Sequence, residues 1–471
     1  MSTHTKSNRS GRRARRSRIL SVAIVGVALT LGSLAVAEAE EPTASGPRTE
    51  NVATRWVQRA LDAVRTGSPA LHTSTPGAAR TYAMTAAAMY DAVNGIDSAN
   101  ATSKRGPALL PGYADAPVGA NRDAAASTAA HAVLSTLFAS NAAVSGALDG
   151  ALGAELAALG SGPAVEAGRE WGMSVGQQVL SLRADDGTVS PESLDGGSGP
   201  GVFPRRFSST QFRHMAPFGV ATTEPFASAG PPPLASPDYA DAFNEVKTLG
   251  SSTDTHPERA AVARHWLAEG GTVRETGLWL KVALSVVADQ GTTESLSETV
   301  RLFALLTMGI ADSVTVSWGD KFDWQYWRPG DAIRQASADG NPATVEDASW
   351  NPRNGTCASA VLASCPIFGG TPEHTSGTSM FAGSSSAILA SFYCTDKIAF
   401  SFTGDQVGSP PRAYGGFREA ALEAGRSRIY GGIHFQFSNE SGREAGREIG
   451  REIVRTRLVP DGSRPQPFCI P

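Results

Sequence analysis

The chain has 471 residues, of which 41% are hydrophobic and 18% charged, and its formal net charge at pH 7 is −4. This length can bury a large core and allows one big domain or two to three smaller ones. The negative net charge argues against nucleic acid as a partner, so any anionic ligand has to be held by a local cluster of basic residues.

The first 37 residues have the layout of a secretory signal peptide. Seven Lys and Arg residues precede an apolar run from Ile19 to Ala37, and the first acidic residue is Glu38. Small residues at Ala35, Ala37 and Ala39 supply a cleavage pattern; an uncleaved membrane anchor is the alternative. We expect cleavage, a secreted extracellular protein without a stable membrane span, and a mature net charge of about −11.

Alanine-rich helical periodicity dominates the next 145 positions and predicts an all-α fold with long irregular loops. The helical patterns cover residues 52–65, 78–94, 122–139 and 146–182. Residues 183–235 then turn to Gly, Pro, Ser and Asp, which cannot continue a helix. Aromatic residues within this excursion indicate that it packs on the body of the protein, although a linker between domains is the alternative.

Helical signals resume after residue 235 and end in a predicted helix over Ser441–Leu458, whose apolar residues share one face. We therefore divide the chain into a signal peptide (1–37), an N-terminal helical part (38–235) and a C-terminal helical part (236–471). The two helical parts are expected to form one continuous globular domain.

Four cysteines lie in the last quarter of the chain, and export to an oxidising compartment makes disulfides the default expectation. Four cysteines allow three pairings. We favour Cys357 with Cys365, because they are close in sequence, and Cys394 with Cys469. The cysteine spacing does not suggest zinc.

The first segment with chemical interest is "KFDWQYWRPGDAIR", in which Lys321 and Arg328 are seven residues apart. On a helix this spacing projects both cations from nearly one face, and an ammonium beside a guanidinium fork suits an oxyanion. The alternative is an exposed cationic helix end. Four aromatic side chains in the segment are expected to wall the site: Phe322, Trp324, Tyr326 and Trp327.

The second segment, "TPEHTSGTS", leads into a predicted helix. A helix N-terminus presents free backbone N–H groups to an anion, so Ser376 and Gly377 are candidates to donate a hydroxyl and an amide. An ordinary Ser-Gly turn is the alternative. In the third segment, "SRIYGGIHFQFS", Arg428 and His434 flank a pair of glycines, 431–432, that we expect to let the backbone approach a ligand. A structural histidine is the alternative there.

These three segments resemble the "KxxxxxxRP", "PSGH" and "SRxxxGxH" signature of vanadium-dependent haloperoxidases and type 2 phosphatidic acid phosphatases. The similarity, which is to secreted bacterial haloperoxidases, extends from Ala78 to the C-terminus. The resemblance implies a large helical bundle in which His434 binds vanadate, or phosphate in the same site. It also implies which groups surround the oxyanion: Lys321, Arg328, Ser376, Gly377 and Arg428. Hydrogen peroxide, halide and an organic acceptor would be the substrates, or a phosphoester if the protein is a phosphatase.

Two positions depart from that signature. Thr378 stands where the family has an acid or base histidine, and a hydroxyl cannot exchange protons near neutral pH. His374 is a candidate to supply the missing imidazole. Ser438 stands where an acid often orients the ligand histidine, with Glu440 as a candidate substitute. Three functions stay open: a haloperoxidase-like oxidoreductase, an acid phosphatase with His434 as nucleophile, and an oxyanion binder without turnover. Whether the protein forms a homodimer also stays open.

Overall fold

Fourteen α-helices and two small antiparallel sheets make up the computed structural model, which describes residues 50–102, 105–354 and 369–459. This architecture confirms the all-α prediction. The predicted signal peptide, Cys357, Cys365 and Cys469 lie outside the described residues. The helices are α1 (Val52–Thr66), α2 (Ala70–Thr73), α3 (Thr75–Ala99), α4 (Arg122–Leu137), α5 (Ala142–Leu159), α6 (Pro163–Leu182), α7 (Pro237–Leu249), α8 (Pro257–His265), α9 (Arg274–Val287), α10 (Leu296–Trp324), α11 (Pro329–Arg334), α12 (Gly377–Phe392), α13 (Phe417–Tyr430) and α14 (Gln436–Thr456), and the strands are β1 (Ser193–Leu194), β2 (Phe207–Ser208), β3 (Phe400–Thr403) and β4 (Pro411–Tyr414).

Local sequence signals explain most of the helix boundaries. Asn and Ser side chains accept N–H groups at the first turns of α1, α3, α4, α5, α7, α10 and α12. The predicted helix over 146–182 is two helices, α5 and α6. They separate at Gly160, whose φ of 78° is left-handed, and α6 begins with Pro163.

Helix α10 runs through the core and packs against α3, so the N-terminal and C-terminal parts share one hydrophobic cluster. By length and composition, α5 and α10 are the two described helices that could cross a membrane. In α10 that apolar composition serves the core, because 94% of its apolar window is buried. In α5 only 11% of the corresponding apolar window is buried.

Buried carboxylates attach the irregular excursion after α6 to the helical body. Asp312 of α10 accepts the backbone N–H groups of Phe218, Gly219 and Val220 at 2.6–2.8 Å. Asp320, two turns further along α10, accepts the N–H of Ser228 at 2.9 Å. The excursion is therefore held against the last turns of the helix that carries Lys321.

Helix α14 lies unusually close to α12 because three glycines of α14 face it. A Cβ atom would lie 2.6 Å from the Ser376 carbonyl oxygen at Gly442 and 2.0 Å from that of Met380 at Gly446. At Gly450 it would lie 2.6 Å from the carbonyl oxygen of Ser384. No side chain fits at these positions without separating the helices. The start of α12 is thereby held beside the segment that contains His434.

Candidate oxyanion site

Lys321 and Arg328 converge, but not from one helix face as predicted. Helix α10 ends at Trp324, and Gln325 has a left-handed φ of 43° that turns the chain. Lys321 therefore lies in the last turn of α10, whereas Arg328 precedes the first turn of α11. Pro329 at that first turn favours a new helix over a continuation of α10.

Both cations hold the segment that leads into α12. Lys321 Nζ donates to the carbonyl oxygens of Pro372 at 2.7 Å and Glu373 at 3.1 Å. Arg328 Nε donates to the Thr371 carbonyl at 2.9 Å. Both side chains are buried, and burial lowers the pKa of Arg328 to about 10 and that of Lys321 well below its ordinary value. Two neighbouring cations in a buried site favour the presence of an anion.

His434 lies between a cation and a carboxylate. Its Nε2 is 2.9 Å from Arg328 Nη1, and its Nδ1 is 2.8 Å from Glu373 Oε1. The Glu373 acceptor assigns the ring proton to Nδ1 and leaves Nε2 as the unprotonated nitrogen. Burial, followed by Arg328 and Lys321, holds the pKa of His434 well below its ordinary value. The ring is thus neutral, and its lone pair at Nε2 faces Arg328 Nη1.

Glu373 performs the task that the sequence assigned to Ser438 or Glu440. Its side chain is fully buried, and Oε1 also accepts the Phe435 N–H at 3.0 Å. The Ser438 hydroxyl donates to the Glu373 carbonyl instead, and Glu440 is exposed and pairs with Gln436. Burial raises the pKa of Glu373 to about 7, against the opposing effect of Arg328. The signal for this acid was its place between a proline and a histidine in "TPEHTSGTS".

Arg428 is the cation with the greatest spare capacity for a ligand. It lies near the end of α13 and is buried, and its Nε and Nη1 have no hydrogen-bond partner among the described residues. Burial lowers the pKa of its guanidinium, against the opposing effect of the carboxylates of Glu275 and Glu269. Unpaired buried donors are costly, and their persistence beside a cavity points to an anionic ligand.

The start of α12 presents its backbone to the same cavity. Gly377 and Thr378 line the cavity, and as the first two residues of the helix they have N–H groups without an intrahelical acceptor. Ser376 caps the helix: its Oγ lies 2.8 Å from Ser379 Oγ and accepts the Ser379 N–H. Gly377 thus occupies the place expected of an amide donor, while the Ser376 hydroxyl is used within the helix start.

His374 does not line this cavity. Its Nε2 is 2.6 Å from Ser228 Oγ, and its ring lies near Phe437. Burial lowers its pKa to about 3. Together with Ser228, His374 connects the excursion to the start of α12. The structure therefore does not bring this imidazole to the position where Thr378 replaces the motif histidine.

The cavity has a volume of about 430 Å³ and a wall that differs from the predicted one. Trp318 and Phe381 provide its aromatic surface, and Glu269, Arg274 and Glu275 add charge. None of the four aromatic residues expected to wall the site lines it. Phe322 packs on Arg213, Trp324 is 42% exposed, and Tyr326 and Trp327 belong to a separate hydrophobic cluster. The turn at the end of α10 directs these side chains away. Trp318 could have been found, since it lies one turn before Lys321 on the same helix.

The two glycines before His434 accommodate the protein's own chain, which corrects the expectation that they admit a ligand. A Cβ atom at Gly431 would lie 2.5 Å from Asn354 Nδ2, and one at Gly432 would lie 2.4 Å from the Gly250 carbonyl oxygen. Gly432 also has a left-handed φ of 75°. The pair ends α13 and lets the loops around residues 250 and 352 pack beneath His434.

Buried cations, one neutral imidazole and a helix N-terminus therefore surround one cavity of a helical protein. Residues 301–458 match the family model of the second helical-bundle domain of vanadium chloroperoxidase. The vanadium chloroperoxidase of Curvularia inaequalis is 26% identical over 155 residues, covering 28% of this chain and 25% of that protein. The chain thus covers about a quarter of that relative's length, and the sequence comparisons show a similarity to vanadium haloperoxidases over part of the chain.

Solved structures extend the likeness in fold to most of the chain. A bacterial vanadium-dependent iodoperoxidase superposes with a TM-score of 0.69 at 21% identity, covering 88% of this chain and 98% of that one. The holo form of a bacterial vanadium-dependent chloroperoxidase superposes with a TM-score of 0.59 at 15% identity, covering 86% and 97%. At these identities the structures show that the helical fold is shared.

Proposed function

We propose that this protein binds vanadate at His434 and acts as a haloperoxidase-like oxidoreductase that uses hydrogen peroxide to oxidise halide. The observation that carries the proposal is Arg428, whose buried Nε and Nη1 lack hydrogen-bond partners among the described residues at the cavity that His434 also lines. A tetrahedral oxyanion fits these groups and the free N–H groups at the start of α12. When bound, vanadate would supply the centre at which hydrogen peroxide is activated.

The chain's own residues have separate tasks in this proposal. Glu373 fixes the proton of His434 on Nδ1 and so keeps Nε2 available as a ligand. Lys321 and Arg328 hold the segment before α12 and add positive charge on one side. Trp318 and Phe381 limit the access of water and so strengthen each electrostatic contact. Vanadate and phosphate share shape and charge, so phosphate is expected to compete for the site.

Thr378 favours a second candidate, an oxyanion binder without turnover. It lines the cavity at the place of the motif histidine, and His434 is the one imidazole among the described lining residues. Loss of a positioned acid or base costs about 10²- to 10⁴-fold in rate. The Thr378→His variant separates the two candidates. A gain of that size in halogenation supports a weakened enzyme, whereas unchanged inactivity with intact vanadate binding supports the binder.

The test begins with calorimetric titration of orthovanadate into the wild-type protein and His434→Ala. Peroxide-dependent halogenation of an activated diketone is then measured with chloride, bromide and iodide. We expect binding that the His434→Ala variant lacks, and activity that depends on added vanadate. A wild-type protein that does not bind orthovanadate refutes the proposal. Hydrolysis of a phosphomonoester that His434→Ala abolishes would instead identify a phosphatase.

Secretion, the signal peptide and the two favoured disulfides remain proposals that rest on sequence. Residues 1–37 carry the first two, and three of the four cysteines lie outside the described residues. Sequencing the N-terminus of the mature protein from the culture medium tests export and cleavage between residues 37 and 40. Peptide mapping without reduction tests the pairings 357–365 and 394–469.

A further inference from the structure

A period of four residues in helix α14 arranges three arginines along one groove. The unit Gly-Arg-Glu occurs at 442–444, 446–448 and 450–452. Each glycine faces α12, as described above, so the arginine that follows emerges at the edge of the contact between the helices. Arg443, Arg447 and Arg451 all line the same cavity, and successive members are about 6 Å apart along the helix axis.

The cavity is a groove of about 610 Å³ between α12, α13 and α14, and we call it the arginine groove. Arg443, Arg447 and Arg451 form one wall, and Lys397 and Arg418 lie on the lining as well. Small residues of α12 complete the lining, which contains no aromatic side chain. The volume lies within the range of small-molecule sites, about 300–1,000 Å³. None of its lining residues belongs to the site around His434.

Five cations in the arginine groove face two carboxylates, and both carboxylates have other partners. Glu444 forms an ion pair with Arg447, and Asp396 accepts the backbone N–H of Arg418 at 2.8 Å. Arg443, Arg451 and the side chains of Arg418 and Lys397 form no ion pair with a described carboxylate.

Arg455, the next arginine at this spacing on α14, lies outside the groove and pairs with Glu452 at 2.6 Å. The two arginines of α14 without an ion pair to a described carboxylate, Arg443 and Arg451, therefore both lie in the groove. In a chain whose net charge is −4, such a local surplus favours an anionic ligand. The Nε of Arg447 is buried without a partner among the described residues, so an unused donor lies within the same cluster.

We propose that the arginine groove binds a short linear polyanion that bears two or more phosphate or sulfate groups. Guanidinium forks match the oxygens of these groups, and three arginines spread over about 12 Å suit several linked anionic groups better than one. The lack of an aromatic side chain argues against nucleotides, whose bases need stacking partners. This groove would be a second anion site, independent of the proposed reaction at His434.

Inorganic tripolyphosphate titrated calorimetrically into the full-length protein is the first probe. The double variant Arg447→Ala/Arg451→Ala is expected to bind it about tenfold or more weakly. Arg455→Ala is the matched control, on the same helix and outside the groove, and should bind like the wild type. Higher ionic strength should weaken wild-type binding. The melting temperature of each variant verifies folding.

Two further titrations separate this groove from the site around His434. In Arg428→Ala, tripolyphosphate binding to the groove should persist while orthovanadate binding is lost. A sulfated disaccharide in place of tripolyphosphate distinguishes a sulfate-bearing from a phosphate-bearing ligand. Equal binding of both probes by the wild type and the double variant overturns the proposal, as does equal weakening in Arg455→Ala, which would indicate non-specific attraction.

Discussion

Replacing Arg428 with methionine should make the ligand-free protein more stable while abolishing oxyanion binding. Arg428 is 6% exposed, and its Nε and Nη1 have no acceptor among the described residues. An unsatisfied buried donor costs about 1–3 kcal/mol, and replacement of a buried ion pair by apolar side chains of similar volume often stabilises a protein by about 1–4 kcal/mol. Attraction to Glu275 and Glu269 offsets part of that cost. We therefore expect the free energy of unfolding to rise by about 1–3 kcal/mol.

Urea unfolding with and without orthophosphate measures both effects. Phosphate at about 100 times its Kd should stabilise the wild type by about 2.7 kcal/mol and leave Arg428→Met unchanged. Arg426→Met is the matched control on the same helix, because Arg426 pairs with Glu245 at 2.7 Å and is 30% exposed. This control should change stability by less than about 0.5 kcal/mol and keep the phosphate effect. An Arg428→Met variant that is less stable than the wild type, or that phosphate still stabilises, would refute the reasoning.

Two further residues test the supports of the site, and a third residue tests the pH dependence of the fold. Glu373→Ala should lower the free energy of unfolding by about 3–5 kcal/mol, because it removes the acceptor of the buried His434 imidazole. Glu440→Ala, at an exposed position, is the control and should leave the free energy of unfolding almost unchanged. Equal urea midpoints for the two variants would contradict this prediction. Gly446→Ala should lower the free energy of unfolding by about 1–3 kcal/mol and weaken orthovanadate binding, because the added methyl group shifts α12. Gly153→Ala, which adds the methyl group in open space, is the control and should leave stability unchanged or raise it. Burial lowers the pKa of His265 from 6.5 to about 4 in the folded protein. The contribution of His265 to stability is therefore complete above pH 6.5, where the imidazole is neutral in both states, and it is lost as the pH falls towards 4. Melting temperatures measured from pH 7 to pH 4.5 should therefore fall less steeply in His265→Asn than in the wild type, and parallel curves would exclude this role.

The basic residues that line the cavity could be selected from the sequence because each lies in a short segment whose spacing carries chemical meaning. Lys321, Arg328, Arg428 and His434 all line one cavity, and their role in oxyanion binding stays a prediction. Alanine-rich periodicity likewise identified the helical class, because apolar residues that recur every three to four positions form one face of a helix. These features depend on local sequence or on a motif, and they do not require the position of distant loops.

The partner of His434 could not be predicted, because it depends on a contact between residues 61 positions apart. The motif placed an acid at position 438, one turn after the histidine, and the structure supplies Glu373 from the loop before α12 instead. The aromatic wall was wrong for a related reason. A single left-handed residue, Gln325, ends α10 and redirects the side chains that follow it. Such a turn has no strong signal when the residue is not glycine or asparagine.

The hydrogen bonds of Lys321, Arg328 and Arg428 explain why Arg428 should contribute most to the affinity for an oxyanion. Two N–H groups of Lys321 donate to backbone carbonyls. Four of the five guanidinium N–H groups of Arg328 donate to Thr371, Ile433 and His434. In Arg428, by contrast, Nε and Nη1 have no hydrogen-bond partner among the described residues. Lys321 and Arg328 are therefore mainly positioning groups, which hold the loop that carries Glu373 and so orient the imidazole. An oxyanion that reaches His434 Nε2 has to replace Arg328 there, whereas Arg428 can bind it without losing a partner.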